Sequence, residues 1–266
     1  MGTKSAASTR KSEVSEKKIE SFENINIVIY EPSKENVNGY LAIWLPYLGG
    51  DKNTVDNELK KLSDYGFYAI SFDSWLHGDR KDNNRISIRT RALKNFRQIM
   101  WTIIGMTTLD AYRICDWAID EYSIKKGIVA GGISMGGDIA ISLAGIDARI
   151  KKVATIGSTP DWNRPGMTDV LDSQKIINQG NPNKSSDYLC HLLNPIDNIE
   201  KYDRDLAMLL EMGEKDTHIR YESAIEFSKK VNNKKIEVSI NEGCNHLSLI
   251  QGKGIIQESI DYLGAL

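Results

Sequence analysis

Cysteine is scarce in this sequence, and its spacing carries no sign of a disulfide or metal framework. Cys115, Cys190 and Cys244 are an odd number without C-x-x-C spacing. This pattern indicates neither a set of disulfides nor a zinc site, and it favours a reducing compartment. We therefore expect a cytoplasmic protein.

Long apolar runs and strong net charge are also missing. No stretch reaches the roughly 18 apolar residues of a membrane span, and the polar N-terminus does not resemble a secretory signal. A net charge of -2 without a basic stripe excludes an obvious nucleic-acid or anionic-membrane surface. The expected partner is a small molecule. We predict a disordered tail at 1–20 and one domain at 21–266.

Short apolar runs alternate with helical patterns along that domain. After a hairpin formed by KKIESF and NINIVIYEP, the predicted strands are 40–46, 67–73, 127–133, 152–158, 206–213 and 235–241. The predicted helices are 53–65, 87–122, 136–145, 219–231 and 253–263. This alternation predicts an α/β fold with a mostly parallel sheet. The connections 80–106 and 159–204 are long enough to form a lid or binding walls.

The segment GGISMGG follows the strand at 127–133 and contains the pattern G-x-S-x-G around Ser134. Such a pattern is typical of a sharp strand-to-helix turn that presents a nucleophilic serine. A serine needs a base to remove its proton and an acid to orient that base. The motif therefore predicts partners later in the chain.

Asp216 and His246 follow the last two predicted strands, where such partners are expected. Asp161, after an earlier strand, is the alternative acid. We interpret Asp138 as a carboxylate favoured by the N-terminus of its helix. His191 is interpreted as a surface or lid residue, and His218 as a solvent-exposed residue at the start of a helix.

The oxyanion formed during acyl transfer needs main-chain N–H donors. Met135, at the start of the helix after Ser134, is the first predicted donor. Leu48, on the loop after strand 40–46, is the second, with Tyr47 as its alternative.

Together, FDSWLHGDR, the segment TLDAYRICDWAIDEYSIKKGIVAGGISMGG, MGEKD and GCNH resemble the dienelactone-hydrolase-like and prolyl-oligopeptidase-like branch of the α/β-hydrolases. The similarity is greatest to small bacterial carboxylesterases and spans about residues 25–265. It implies a sheet of about eight strands with helices on both faces and a small lid or cap. It also implies a D-x-x-x-H-G-x-R string, matched by Asp73, His77, Gly78 and Arg80, and the triad Ser134, Asp216 and His246. The His-Gly usual at the oxyanion loop is replaced by Pro46-Tyr47.

These features predict hydrolysis of a carboxylic ester or thioester through an acyl-serine, without a metal or organic cofactor. A peptidase, an acyltransferase or a catalytically silent binding protein of the same fold are the alternatives. We assign Tyr47, His77, Trp101 and Trp162 to the substrate pocket. The alternative for the helix that carries Trp101 is ordinary packing against the sheet.

Overall fold

The computed structural model describes residues 16–266, so the first fifteen residues of the predicted tail lie outside the described part. Its strands are β1 (Glu16–Phe22), β2 (Ile25–Glu31), β3 (Tyr40–Leu45), β4 (Tyr68–Phe72), β5 (Gly127–Ile133), β6 (Ile150–Ile156), β7 (Thr168–Asp169), β8 (Asp172–Ile176), β9 (Ala207–Gly213) and β10 (Ile236–Asn241). Its α-helices are α1 (Asp56–Asp64), α2 (Ile88–Lys94), α3 (Phe96–Glu121), α4 (Met135–Ile146), α5 (Lys184–Leu193), α6 (Tyr221–Lys230), α7 (His246–Ile250) and α8 (Lys253–Gly264).

Eight strands form the main sheet in the order β1-β2-β4-β3-β5-β6-β9-β10. The β1–β2 and β2–β4 pairs are antiparallel, and from β4 to β10 all neighbours are parallel. The predicted mostly parallel sheet is confirmed. The carboxyl ends of the parallel strands share one edge, where ligands bind in open α/β sheets.

Two apolar clusters cover the two faces of the sheet. Ile27, Ile29 and Ile43 pack in the cluster that contains α3 and α4. Val28 and Ala42 pack in the other, with residues of α1 and α8. Alternate residues of a strand point to opposite faces, so the continuous apolar runs follow from burial on both sides.

The structure corrects two predicted boundaries. Residues 16–20, assigned to the tail, belong to β1, which pairs with β2 over its whole length. The predicted helix 87–122 is divided at Asn95, whose φ of -143° and ψ of 69° leave the helical region between α2 and α3. The 26-residue α3 mixes polar with apolar residues, and no helix within 16–266 could span a membrane.

The connection 159–204 carries its own local structure. It contains the small β7–β8 hairpin, the helix α5 and two short 3₁₀ turns. Helix α5 packs against α3, which begins inside the other long connection. The two long connections are therefore in contact with each other beside the sheet.

Candidate active site

Ser134 occupies a strained turn between β5 and α4. Its φ of 52° and ψ of -118° lie outside the regions that residues with a side chain favour. A Cβ at Gly136 would lie 2.1 Å from the carbonyl oxygen of Leu45, and one at Gly132 would lie 2.6 Å from the carbonyl carbon of Gly136. The flanking glycines are required because the backbone segments touch.

The structure brings Ser134, His246 and Asp216 together. Ser134 Oγ lies 3.1 Å from His246 Nε2, and His246 Nδ1 lies 2.7 Å from Asp216 Oδ2. His246 begins α7, and the preceding Asn245 caps that helix together with Ser248. All three members of the relay are buried, with exposed fractions of 3 to 7%. The serine hydroxyl can thus pass its proton to an imidazole that a carboxylate orients.

Asp216 is fixed by its second carboxylate oxygen. Oδ1 accepts main-chain hydrogen bonds from His218 at 2.9 Å and Ile219 at 2.8 Å. The alternative acid, Asp161, instead accepts bonds from the main chain and side chain of Asn163. Within residues 16–266, His246 is hydrogen-bonded to Asp216 and not to Asp161.

Asp138 has a role beyond its place in the first turn of α4. It is fully buried, accepts a hydrogen bond from the Thr159 amide at 2.7 Å and forms an ion pair with Arg164. The guanidinium of Arg164 also lies 5.0 Å from the centre of the Phe96 ring. This buried pair ties the connection after β6 to the helix that follows the serine.

The loop after β3 forms a tight turn beside Ser134. Gly50 donates to the carbonyl of Tyr47 at 2.9 Å, and Gly49 has a φ of +91°, which favours glycine. Tyr47 and Leu48 both line the cavity that contains Ser134. Met135 is the first residue of α4, where main-chain N–H groups lack helical acceptors. The predicted donors Met135 and Leu48 therefore lie on segments next to the serine.

His77 does not line this cavity, which corrects its assignment to the pocket. It is buried behind the loop, where its Nε2 accepts a hydrogen bond from Gly49 N–H at 2.9 Å. Its Nδ1 then donates to the Trp75 carbonyl at 2.9 Å. Burial lowers the pKa of His77, which favours the neutral form that this arrangement needs.

The cavity over Ser134 has a volume of about 230 Å³. Both long connections contribute walls: Arg89, Leu93, Phe96 and Met100 come from the first, and Arg164 and Val170 from the second. The remaining lining residues are Tyr47, Leu48, Ser134, His218, His246, Leu247, Ile250 and Gln251. The walls are mostly apolar, with cations and no carboxylate among the described lining residues.

Trp101 and Trp162 are core residues, which corrects the prediction that they form pocket walls. Their exposed fractions are 4% and 0%. Trp101 Nε1 donates to the Trp162 carbonyl at 2.9 Å, and Trp162 Nε1 donates to Ser142 Oγ at 3.2 Å. Their hydrogen bonds link α3, the second connection and α4, and neither residue lines the cavity.

His218 was interpreted as exposed, but the structure buries it beside His246. Its exposed fraction is 8%, and the two imidazole centres are 5.0 Å apart. The position two residues after Asp216 was the signal available in the sequence. Its burial depends on Thr168, which lies 50 residues away in the second connection.

Comparison with known proteins agrees with this arrangement. Residues 61–261, more than half of the chain, match the prolyl oligopeptidase family. The Thermus thermophilus protein TT1662 has a structure that superposes with a TM-score of 0.70 at 14% identity, covering 93% of this chain and 97% of that one. Thermogutta terrifontis esterase 2, solved after phosphonylation by sarin, gives a TM-score of 0.60 at 16% identity, with coverages of 97% and 95%.

The sequence also matches a protein with a different description, over a short segment. Over 117 residues the chain is 31% identical to an uncharacterized glycosyltransferase of Methanocaldococcus jannaschii. The match covers 42% of this chain and only 32% of that protein, so it spans about a third of the relative's length. The fold, the strained serine turn and the match over 61–261 agree with one another: the chain belongs to the prolyl oligopeptidase family of α/β-hydrolases.

Proposed function

We propose that this protein hydrolyses a carboxylic ester through an acyl intermediate on Ser134. The observation that carries the proposal is the Ser134–His246–Asp216 relay, with distances of 3.1 and 2.7 Å, at the wall of a small cavity. Acyl transfer requires a deprotonated hydroxyl, and this relay supplies the base and its orienting acid.

The reaction proceeds in two balanced steps. Ser134 Oγ bonds to the ester carbonyl carbon while its proton moves to His246 Nε2, and the tetrahedral intermediate expels the alcohol with that proton. Water then attacks the acyl-serine, gives a proton to His246 and releases the carboxylic acid as Ser134 regains its hydrogen. Asp216 stabilises the imidazolium in both steps.

The developing oxyanion is stabilised by the N–H groups of Met135 and Leu48, with Tyr47 as the alternative to Leu48. These donors belong to a helix N-terminus and a tight turn, so they are held in place before the reaction. The turn is braced from behind by His77. A metal or organic cofactor has no part in this mechanism.

An ester is favoured over a peptide by the size of the site. A cavity of about 230 Å³ lies below the roughly 300–1,000 Å³ of pockets for drug-sized ligands, so it suits a short acyl chain and a small alcohol. The esterase neighbour with the same fold supports this choice. Residence in the cytoplasm stays a prediction.

The proposal is tested with butyrate esters and the corresponding butyramides, beside labelling by a fluorophosphonate. We expect ester hydrolysis, little amide hydrolysis and a single label on Ser134 that Ser134→Ala removes. Faster cleavage of the amide would indicate a peptidase. Absence of both label and turnover in the folded protein would indicate a silent binding protein.

A further inference from the structure

The cavity contains a second histidine that the relay does not use. His218 lines the wall beside Ser134 and His246 but forms no hydrogen bond with either side chain. Its imidazole centre lies 5.0 Å from that of His246. A nine-tenths buried imidazole at this place has hydrogen-bonding capacity that the chemistry of acyl transfer leaves free.

The protonation of His218 follows from its neighbours. Nδ1 lies 2.7 Å from the carbonyl oxygen of Thr168, and a carbonyl can only accept, so Nδ1 carries the hydrogen. Burial, followed by the nearby charges of His246 and Arg164, lowers the pKa of His218 to about 3. At neutral pH, Nε2 therefore presents a lone pair.

Nε2 is a free acceptor within residues 16–266. No side chain or main-chain group of this range donates to it, since the hydrogen bonds of His218 are those of Nδ1 and the main-chain N–H. The residue is held at two points, because its main-chain N–H donates to Asp216 Oδ1 and its Nδ1–H donates to the Thr168 carbonyl. An acceptor at the wall of the cavity is open to a hydrogen-bond donor from a ligand or from water.

The chemistry of the cavity selects the kind of donor. Arg89 and Arg164 line the cavity, and no Asp or Glu is among its described lining residues. The charge of Arg164 is already paired with Asp138, but a cationic donor such as an ammonium group would still meet the guanidinium of Arg89. The complementary group is therefore a neutral donor, for which a hydroxyl is the simplest choice.

The position of His218 selects the part of the substrate. In the proposed reaction the departing alcohol takes its proton from His246 Nε2, so the alcohol lies against that ring. Since the ring of His218 is its neighbour, a donor that reaches it belongs on the alcohol rather than at the far end of the acyl chain. We propose that His218 Nε2 accepts a hydrogen bond from a second hydroxyl of the leaving alcohol, so that the substrate is a monoester of a diol or polyol. This inference rests on the proposed esterase function.

The experiment compares 2-hydroxyethyl butyrate with 2-methoxyethyl butyrate, which share an acyl chain and differ in the donor. We expect the wild-type kcat/KM to favour the hydroxyethyl ester by about 3- to 10-fold, the range of one neutral hydrogen bond. His218→Phe should bring this ratio to about 1. His218→Gln, which keeps an acceptor oxygen, should recover part of the preference. A His191→Phe variant, altered at an exposed histidine, should keep the wild-type ratio.

Fluorophosphonate labelling of Ser134 in each variant tests whether the site is assembled. If His218→Phe does not fold, His218→Leu takes its place. A wild-type ratio near 1 overturns the inference, and so does an apolar variant that is labelled and keeps the wild-type ratio. Both results leave the esterase proposal intact. A folded wild-type protein that is not labelled and cleaves neither ester contradicts the esterase proposal itself, and the inference fails with it.

Discussion

The imidazole of His77 accepts a hydrogen bond from the main-chain N–H of Gly49, with 2.9 Å between Nε2 and the amide nitrogen. Gly49 follows Leu48 in the turn that faces Ser134, so a buried side chain after β4 fixes the loop after β3. Asp73 strengthens the same junction, since its Oδ1 accepts from the Lys52 amide and its Oδ2 from the Asp79 amide. Residues of the D-x-x-x-H-G-x-R string therefore brace the turn that carries Leu48.

We predict that His77→Phe lowers kcat for ester hydrolysis by about 10- to 100-fold, because small displacements of groups that stabilise the transition state have effects of this size. KM should change much less, since the cavity walls do not include His77. The measurement is steady-state kinetics on a short-chain ester.

His77→Gln is the matched control for that experiment. Its amide oxygen can accept from Gly49, so it should restore part of kcat. If His77→Gln and His77→Phe lose kcat equally while both remain folded, the accepted hydrogen bond is not what positions the turn.

Asp216→Asn should reduce kcat far more than Asp161→Asn. Asp216 contacts His246 at 2.7 Å and stabilises its protonated form, and loss of such an acid costs up to about 10⁴-fold in serine proteases. Asp161→Asn should stay close to wild type, because Asp161 bonds Asn163 instead. Parallel kinetics of the two variants decide the matter, and the reverse ranking would transfer the role to Asp161.

Acid should destabilise the fold through its buried neutral histidines. Burial lowers the pKa values of both His218, to about 3, and His77, so below the usual value of about 6.5 the unfolded chain binds protons that the native state does not. The neutral histidines therefore make their full contribution to the free energy of unfolding above pH 6.5, and this contribution is lost as the pH falls. For His218 the loss of unfolding free energy between pH 6.5 and 5 is on the order of 1–2 kcal/mol.

Urea unfolding at the two pH values measures this effect in the wild type and in His218→Phe. Over the same interval the variant should lose less stability than the wild type, by on the order of 1–2 kcal/mol, because it lacks the titrating group. An equal loss of unfolding free energy in both proteins would mean that His218 is not neutral in the native state.

Trp162→Ala should cost stability without changing which acyl chain is preferred. The indole is fully buried and bonded to Ser142, and removal of such a side chain from a core costs about 3–5 kcal/mol. Leu93→Ala is the contrasting variant, since Leu93 lines the cavity and its truncation should shift the preference to longer chains. The measurements are the unfolding free energy of each variant and its kcat/KM for a series of nitrophenyl esters. Together they distinguish a core residue from a residue of the cavity wall.

The sequence by itself determined those features that depend on local pattern. Continuous apolar runs identified the buried strands, because a strand covered on both faces has no polar side. The glycines around Ser134 marked the turn, because a close backbone approach excludes side chains whatever surrounds it. The order of strands along the chain was enough to single out Asp216 and His246 as candidates, with Asp161 left as an alternative.

Only the tertiary structure decided which side chains face the cavity. Trp101, Trp162 and His218 lie on segments whose surroundings come from distant parts of the chain: α3 against α5, the second connection against α4, and Thr168 against the turn after β9. A tryptophan in a long connection has the same sequence pattern whether it packs inward or lines a pocket, and a histidine after a strand has the same pattern whether water or a carbonyl covers it. Burial is set by contacts between residues 20 to 61 positions apart in the chain, which is why Trp162 became core and His218 joined the site.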